Sequence, residues 1–174
     1  MDLAVTSADD EALLLDLLNS TPVIDGTPTD ILAEFDTAAD WLAERGVPQR
    51  RAEWQALLQA RAILQAIVRG DHPPSSLHPI LSAAHLVPAA SENGVDWQLA
   101  VEGATTGAVR AALAWDGLRI NSPGRLRPCT NSECQLFLID RSKPNTARWC
   151  SMAVCGNRMK ARRHYSRTST GATS

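Results

Sequence analysis

All four cysteines of this 174-residue chain lie between Cys129 and Cys155. They stand as Cys129-x4-Cys134-x15-Cys150-x4-Cys155, which is two closely spaced pairs joined by a longer connector. Each pair fits one tight turn, called a knuckle below, and the connector can bring the two knuckles around one tetrahedral ion. Zinc suits this site because it accepts four thiolates, has no redox chemistry and then keeps no open position for catalysis. The spacing therefore predicts one structural Zn²⁺.

Other arrangements of four clustered thiols stay open from the sequence alone. An iron–sulfur cluster also uses four thiolates, although its common spacings differ from this one. Two disulfides are chemically possible, but in a reducing cytosol clustered cysteines favour metal ligation. His164 could replace one thiolate, yet the cysteines already complete a set of four ligands.

A strongly basic run directly follows the second cysteine pair. Residues 150–167 read CSMAVCGNRMKARRHYSR, and the pattern predicts a helix from Asn157 onward. Charges at helical spacing cover most of its circumference, which makes a poor core element but a good surface for phosphate. Arginine binds phosphate or guanine edges, and a tyrosine can stack on a base or contact a sugar. We expect nucleic-acid contacts from Arg158, Lys160, Arg162, Arg163, Tyr165 and Arg167.

The net charge of −2 hides a division along the chain. Residues 1–118 hold 6 Lys and Arg against 17 Asp and Glu, a net −11, whereas residues 119–174 hold 11 against 2, a net +9. Such asymmetry indicates an acidic body with a basic arm. The arm could bind nucleic acid, or it could dock on the acidic body or on another protein. Both roles can coexist if the body competes with DNA.

Before the cysteines, the chain reads mainly as helices. Apolar periodicity predicts helices over about 10–19, from Thr29 or Asp30 to Gly46, from Pro48 to Gly70, and over about 105–115. Alternation over 93–103 predicts a short strand or hairpin, and 121–128 reads as a linker. Buried anchors of this core are predicted at Trp41, Trp54, Trp97 and Trp115.

The connector between the cysteine pairs predicts the rest of the module. A strand-like run over 136–139, a polar turn over 142–145 and a return through 148–149 predict a small hairpin with a knuckle at either end. Gly156 would tolerate the turn into the basic helix, and the Asn157 side chain would cap exposed amides. The predicted fold is mostly α with a short β-hairpin. A helical N-terminal domain over 1–120 precedes a small treble-clef-like zinc finger over 125–168 and a disordered tail over 169–174.

Residues 129–167 resemble the CGNR zinc finger, whose name is spelled here by Cys155-Gly156-Asn157-Arg158. LF-x-x-D-x-S over 136–142 and RWCSM-x-x-CGNR-x-K over 148–160 match the same pattern. The N-terminal part is similar to the ABATE domain through LDLLNST over 15–21 and DWL over 40–42. The resemblance implies zinc ligation by all four cysteines in a bacterial, stress-linked transcription regulator.

We therefore predict a non-enzymatic, cytoplasmic, zinc-containing regulator of transcription. Its N-terminal domain would sense a signal or form a homodimer, and its finger would bind double-stranded DNA. The sequence shows no catalytic motif, no basic N-terminal signal and no apolar run of the roughly 18 residues that a membrane span needs. A structural zinc module for protein–protein docking and an RNA-binding protein are the alternatives.

Overall fold

The computed structural model describes residues 6–162. Its α-helices are α1 Ala8–Leu18, α2 Phe35–Glu44, α3 Arg51–Arg69, α4 His78–Leu81 and α5 Thr106–Asn121. A 3₁₀ turn spans Pro74–Leu77, and a π-helical turn at Met152–Gly156 continues as α-helix over 157–162. The strands are β1 Val23–Ile24, β2 Thr27–Pro28, β3 Ala84–Ser91, β4 Gly94–Val101, β5 Leu126–Pro128 and β6 Phe137–Ile139.

Helices dominate these residues, and the strands form the antiparallel hairpins β1–β2, β3–β4 and β5–β6. The predicted mostly-α class is confirmed, and the strand or hairpin predicted over 93–103 is strand β4 of the β3–β4 hairpin. Across residues 6–162, no helix has both the length and the apolar character needed to cross a lipid bilayer.

The core forms where α1, α3 and α5 meet. Helix α1 starts on a capping box between Ser7 and Asp10 and buries a stripe of leucines, Leu13, Leu14, Leu17 and Leu18. Each fully buried leucine stabilises the fold by about 1.5–3 kcal/mol. Helix α5 is rich in alanine because neighbours approach it closely; a Cβ on Gly107 would stand only 2.9 Å from Val47.

Helix α5 begins on a carboxylate that α3 supplies. Glu53 is 1% exposed, and its two oxygens accept the N–H groups of Thr106 and Gly107, each at 3.2 Å. These are amides of the first turn, which have no partner within the helix, and the helix dipole favours a negative charge there. A buried charge is thus satisfied while it fixes α3 against α5.

One predicted helix start and one predicted anchor are wrong. The second helix begins at Phe35 and not at Thr29 or Asp30. The Asp30 carboxylate instead accepts a hydrogen bond from the Leu32 N–H. It also accepts hydrogen bonds from both terminal nitrogens of the buried Arg61, with N···O distances of 2.7 and 2.6 Å. Trp97 is not a buried anchor: it lies on β4 and is 45% exposed.

The predicted hairpin between the cysteine pairs is also wrong in its pairing. Strand β6 pairs with β5 in the register Leu126↔Ile139 and Pro128↔Phe137, so its partner lies in the stretch predicted as a linker. The chain after β6 does not return as a strand because the Asp140 side chain takes the backbone N–H groups of Ser142 and Ala147. A carboxylate therefore replaces the partner strand there.

Strand β6 fastens the cysteine-rich segment to the helical body. The Asn19 amide accepts the Phe137 N–H at 2.7 Å and donates to the Phe137 carbonyl at 3.2 Å, as a neighbouring strand would. The Phe137 ring is 1% exposed and belongs to the main core, with the Arg69 guanidinium 4.7 Å from its centroid. Asn19 lies in the LDLLNST stretch, so that stretch contacts the cysteine-rich segment directly.

We expect Asn19→Ala to lower the free energy of unfolding by about 1–3 kcal/mol, because both backbone groups of Phe137 lose their partner in a largely buried site. Urea unfolding at neutral pH measures the change. Asn121→Ala, at an exposed asparagine of α5, is the matched control and should stay within about 0.5 kcal/mol of the original protein. Equal effects of the two substitutions would contradict the role given to Asn19.

Candidate metal centre

The structure brings the four cysteine sulfurs into one cluster. Their Sγ atoms all lie within 4.8 Å of one another, with 3.6 Å between Cys134 and Cys150 and 3.7 Å between Cys150 and Cys155. Four sulfurs about 2.3 Å from a central tetrahedral ion would stand about 3.8 Å apart. All four cysteines are free, since a disulfide would hold two sulfurs at about 2.0 Å. The cluster has room for one ion, and the several irons and bridging sulfides of a polynuclear cluster would not fit.

Both knuckles are held by backbone hydrogen bonds. Cys129 follows β5 directly and donates its N–H to the Leu136 carbonyl, which extends the β5–β6 ladder by one rung. Cys134 closes the first knuckle by donating to the Asn131 carbonyl at 2.9 Å. Thr130 donates its N–H and its hydroxyl to the Arg148 carbonyl, which joins the first knuckle to the approach of the second. The strands and these bonds therefore set where the sulfurs meet.

Asn131 is a site residue that the sequence reasoning missed. Its side chain is fully buried, donates an N–H to the Cys155 Sγ at 3.5 Å, and accepts the Glu133 N–H. Burial opposes ionisation of Cys155, but the Asn131 hydrogen bond and contacts with the other cysteines outweigh it, so the pKa of Cys155 is lowered. An asparagine between two closely spaced cysteines was the available signal.

Two of the other thiols resist ionisation. Burial raises the pKa of Cys134 to about 11, and burial together with hydrogen bonds to Cys134 and Cys155 raises the pKa of Cys150. Neighbouring thiolates repel one another in a poorly solvated site, so the fully ionised cluster needs a cation at its centre. The donor set therefore fits a divalent thiophilic ion whose binding releases protons.

The connector is organised around the buried carboxylate of Asp140. Besides Ser142 and Ala147, it accepts a hydrogen bond from the Arg127 guanidinium on β5. The Ser142 side chain is the largest of the contacts that hold the pKa of Asp140 at about 2, well below its usual value. Asp140 therefore stays ionised and fixes the segment that leads to Cys150.

The turn into the basic helix differs from its prediction. Gly156 does not have positive φ; it is buried where a Cβ would stand 2.8 Å from the Met152 Sδ and 3.3 Å from the Trp149 Cδ1. Its role is close packing. The Asn157 side chain donates to the Ala153 carbonyl and does not cap amides, a function that the Ser151 hydroxyl performs by accepting the Val154 N–H.

The structure places only part of the predicted nucleic-acid surface. Arg158 and Lys160 are exposed at the start of the basic helix, and neither has a salt bridge within residues 6–162. Arg162 pairs with Glu133 of the first knuckle, and this contact lowers the pKa of Glu133. Arg158 also borders an open cleft of about 550 Å³ between the β1–β2 hairpin and the first knuckle. Arg163, Tyr165 and Arg167, like His164, lie outside the described residues.

We expect Asn131→Ala to weaken metal binding about 10- to 100-fold, because the Cys155 sulfur loses its hydrogen bond and its orientation. Competition with a colour-forming chelator measures the affinity. Ser132→Ala, in the same knuckle but exposed, should leave the affinity unchanged. Equal affinities of the two variants would contradict the role given to Asn131.

Two family models match the chain, and between them they span both of its parts. Residues 11–122 match ABATE, described as "Putative stress-induced transcription regulator". Residues 125–168 match the CGNR zinc finger and contain all four clustered cysteines. No curated protein matches the chain.

Proposed function

The chain belongs to the ABATE family and carries a CGNR zinc finger, and from this premise we propose that it is a non-enzymatic transcription regulator that binds double-stranded DNA. The observation that carries the proposal is the position of the sulfur cluster. The cluster lies at the N-terminal end of the basic helix, whose first two cations, Arg158 and Lys160, are exposed.

The resident ion in this proposal is one Zn²⁺ held by Cys129, Cys134, Cys150 and Cys155. Zinc supplies four bonds to sulfur and no open coordination position, so its role is structural. The two knuckles, the β5–β6 hairpin and the helix after Cys155 then form a treble-clef-like unit. This unit is too small to bury much apolar surface, so metal binding contributes much of its folding free energy.

The DNA surface in this proposal starts at Arg158 and Lys160 and continues along the basic run to Arg167. Two further exposed cations of the finger, Lys143 and Arg148, have no salt bridge within residues 6–162. The Arg162–Glu133 pair is exposed to solvent on both sides, and such pairs are weak enough to exchange a carboxylate for a phosphate. Neutralising phosphates gives binding that weakens steeply as salt rises.

The contacts of the finger favour DNA over docking on the acidic body. Among the described cations of the basic helix, the one salt bridge formed is to Glu133, which belongs to the finger itself. The finger contacts the body through β5 and β6, through the Gln135 carbonyl, which accepts a hydrogen bond from Arg69, and through Arg141, which pairs with Glu11 of α1. Docking therefore uses the strand side of the finger and leaves Arg158 and Lys160 available. RNA binding remains the second candidate, because a basic helix with one tyrosine fits either nucleic acid.

Metal analysis tests the zinc assignment. Freshly purified, reduced protein should contain about one zinc per chain, since four thiolates saturate one tetrahedral ion. Cys150→Ser should lower both the zinc content and the affinity for DNA. Less than about 0.5 zinc per chain, or iron in its place, would overturn the assignment.

Salt titration of binding to a duplex of mixed sequence tests the DNA proposal. For the full-length zinc protein, Arg158→Ala and Lys160→Ala should each reduce the slope of log K against log salt by about 0.9 and weaken binding roughly three- to ten-fold. Arg50→Ala removes an exposed arginine at the end of α3 away from the finger and should change neither quantity. Unchanged slopes for both finger variants would contradict the proposed surface.

Glu133→Gln provides the converse test. The substitution removes the carboxylate that holds Arg162, and it also removes a negative charge beside the proposed surface. Affinity for duplex DNA should therefore rise about three-fold, with a steeper salt slope. Asp116→Gln, which breaks the exposed pair with Arg119 on α5, should have no effect. Displacement of the duplex by a smaller amount of single-stranded RNA would support the RNA candidate instead.

A further inference from the structure

The β3–β4 hairpin presents an apolar face that the helical body covers only at its base. Residues directly opposite each other share a face, and one face is formed by Ala84↔Val101, Leu86↔Leu99, Pro88↔Trp97 and Ala90↔Val95. Ala84, Leu99 and Val101 pack on the core at the base. Towards the tip, Leu86, Trp97 and Val95 are 37%, 45% and 63% exposed.

The hairpin has one edge that can accept another strand. Glu102 donates its N–H to the Ala83 carbonyl, which fixes the alternation of hydrogen bonds along β3 and β4. With this alternation, the outward-pointing backbone groups of β4 belong to Val95, Trp97 and Leu99. No hydrogen bond between described residues uses these groups. On β3 the corresponding edge is interrupted by Pro88, which has no N–H to offer.

We propose that β4 pairs antiparallel with β4 of a second copy of this chain, about a two-fold axis at Trp97. In this register Val95 faces Leu99 of the second copy, and Asp96 faces its Gln98. Apolar residues then meet apolar residues, each carboxylate meets an amide, and no two carboxylates lie opposite each other. The residues with outward-pointing backbone groups are also the ones that exchange hydrogen bonds across the axis.

The pairing shields the exposed tip of the apolar face, where Val95 lies. A two-fold axis perpendicular to the sheet keeps both apolar faces on the same side, because the strands pair edge to edge. The tip of one hairpin then lies beside the base of the other, where Leu99 is already packed under the helical body. Val95 of each copy therefore approaches the body of the other copy.

The assembly stops at two chains. Each copy uses its β4 edge once, and the outer edges of the four-stranded sheet are the two β3 strands that carry Pro88. An isolated two-stranded hairpin is marginal in water, whereas a four-stranded sheet with an apolar face is not. This dimer goes beyond the proposed DNA-binding function and requires neither the metal nor DNA.

Sedimentation equilibrium of the full-length, metal-loaded protein without DNA tests the proposal. From about 1 to about 100 µM the mass should rise towards twice 18.8 kDa. Trp97→Pro removes the outward N–H at the axis and leaves the hydrogen bonds to β3 intact, so it should give a monomer with an unchanged far-ultraviolet circular dichroism spectrum.

Charge substitutions at one position test the register. Gln98→Asp would face Asp96 of the second copy at two symmetry-related contacts and should raise the dimer Kd about ten-fold, whereas Gln98→Lys should leave it unchanged or lower it. Gln55→Asp makes the same charge change at an exposed position of α3 and should have no effect. A wild-type monomer at about 100 µM, or a dimer insensitive to both Trp97→Pro and Gln98→Asp, would overturn the proposal.

Discussion

The cysteine-rich segment depends on four sulfurs packed at mutual distances that suit one ion. Burial raises the pKa of Cys134, and burial together with hydrogen bonds to Cys134 and Cys155 raises the pKa of Cys150, so the protein alone favours protonated thiols at these two positions. A divalent cation held by the four sulfurs would remove that conflict and join the two knuckles. Asn131 supports the arrangement from one side, and the Thr130–Arg148 hydrogen bonds support it from another. The basic helix begins directly after Cys155, one of the four cysteines of this cluster.

Strand β6 links the cysteine-rich segment to the hydrophobic core of the helical body. Phe137 is both the first residue of that strand and a member of the main hydrophobic core. Asn19, at the C-terminal end of α1, pairs with its backbone, and Arg69, at the end of α3, covers its ring. The two parts that match separate family models therefore share one packed interior.

The sequence predicted some of this well because the relevant signals are local. Cysteine spacing indicated the cluster, and apolar periodicity indicated the long helices. The hairpin pairing was wrong because nothing in the periodicity shows that Asp140 would take the backbone amides that a strand would otherwise have bound. The second helix started late because Asp30 is used by Arg61, a partner 31 residues away. The exposure of Trp97 depends on what covers a hairpin, which alternation of residue types does not report.

The placement of Phe137 also bears on how such a chain is cut for study. The boundary between the two matched families falls near residues 122–125, within the stretch that the sequence predicts to be a linker. Cleavage there would remove the Phe137 ring and strand β6 from the hydrophobic core of the N-terminal piece. It would also expose the apolar side of β6 on the C-terminal piece to solvent. Either piece expressed alone would therefore lack part of the hydrophobic core that this chain shares between its two parts.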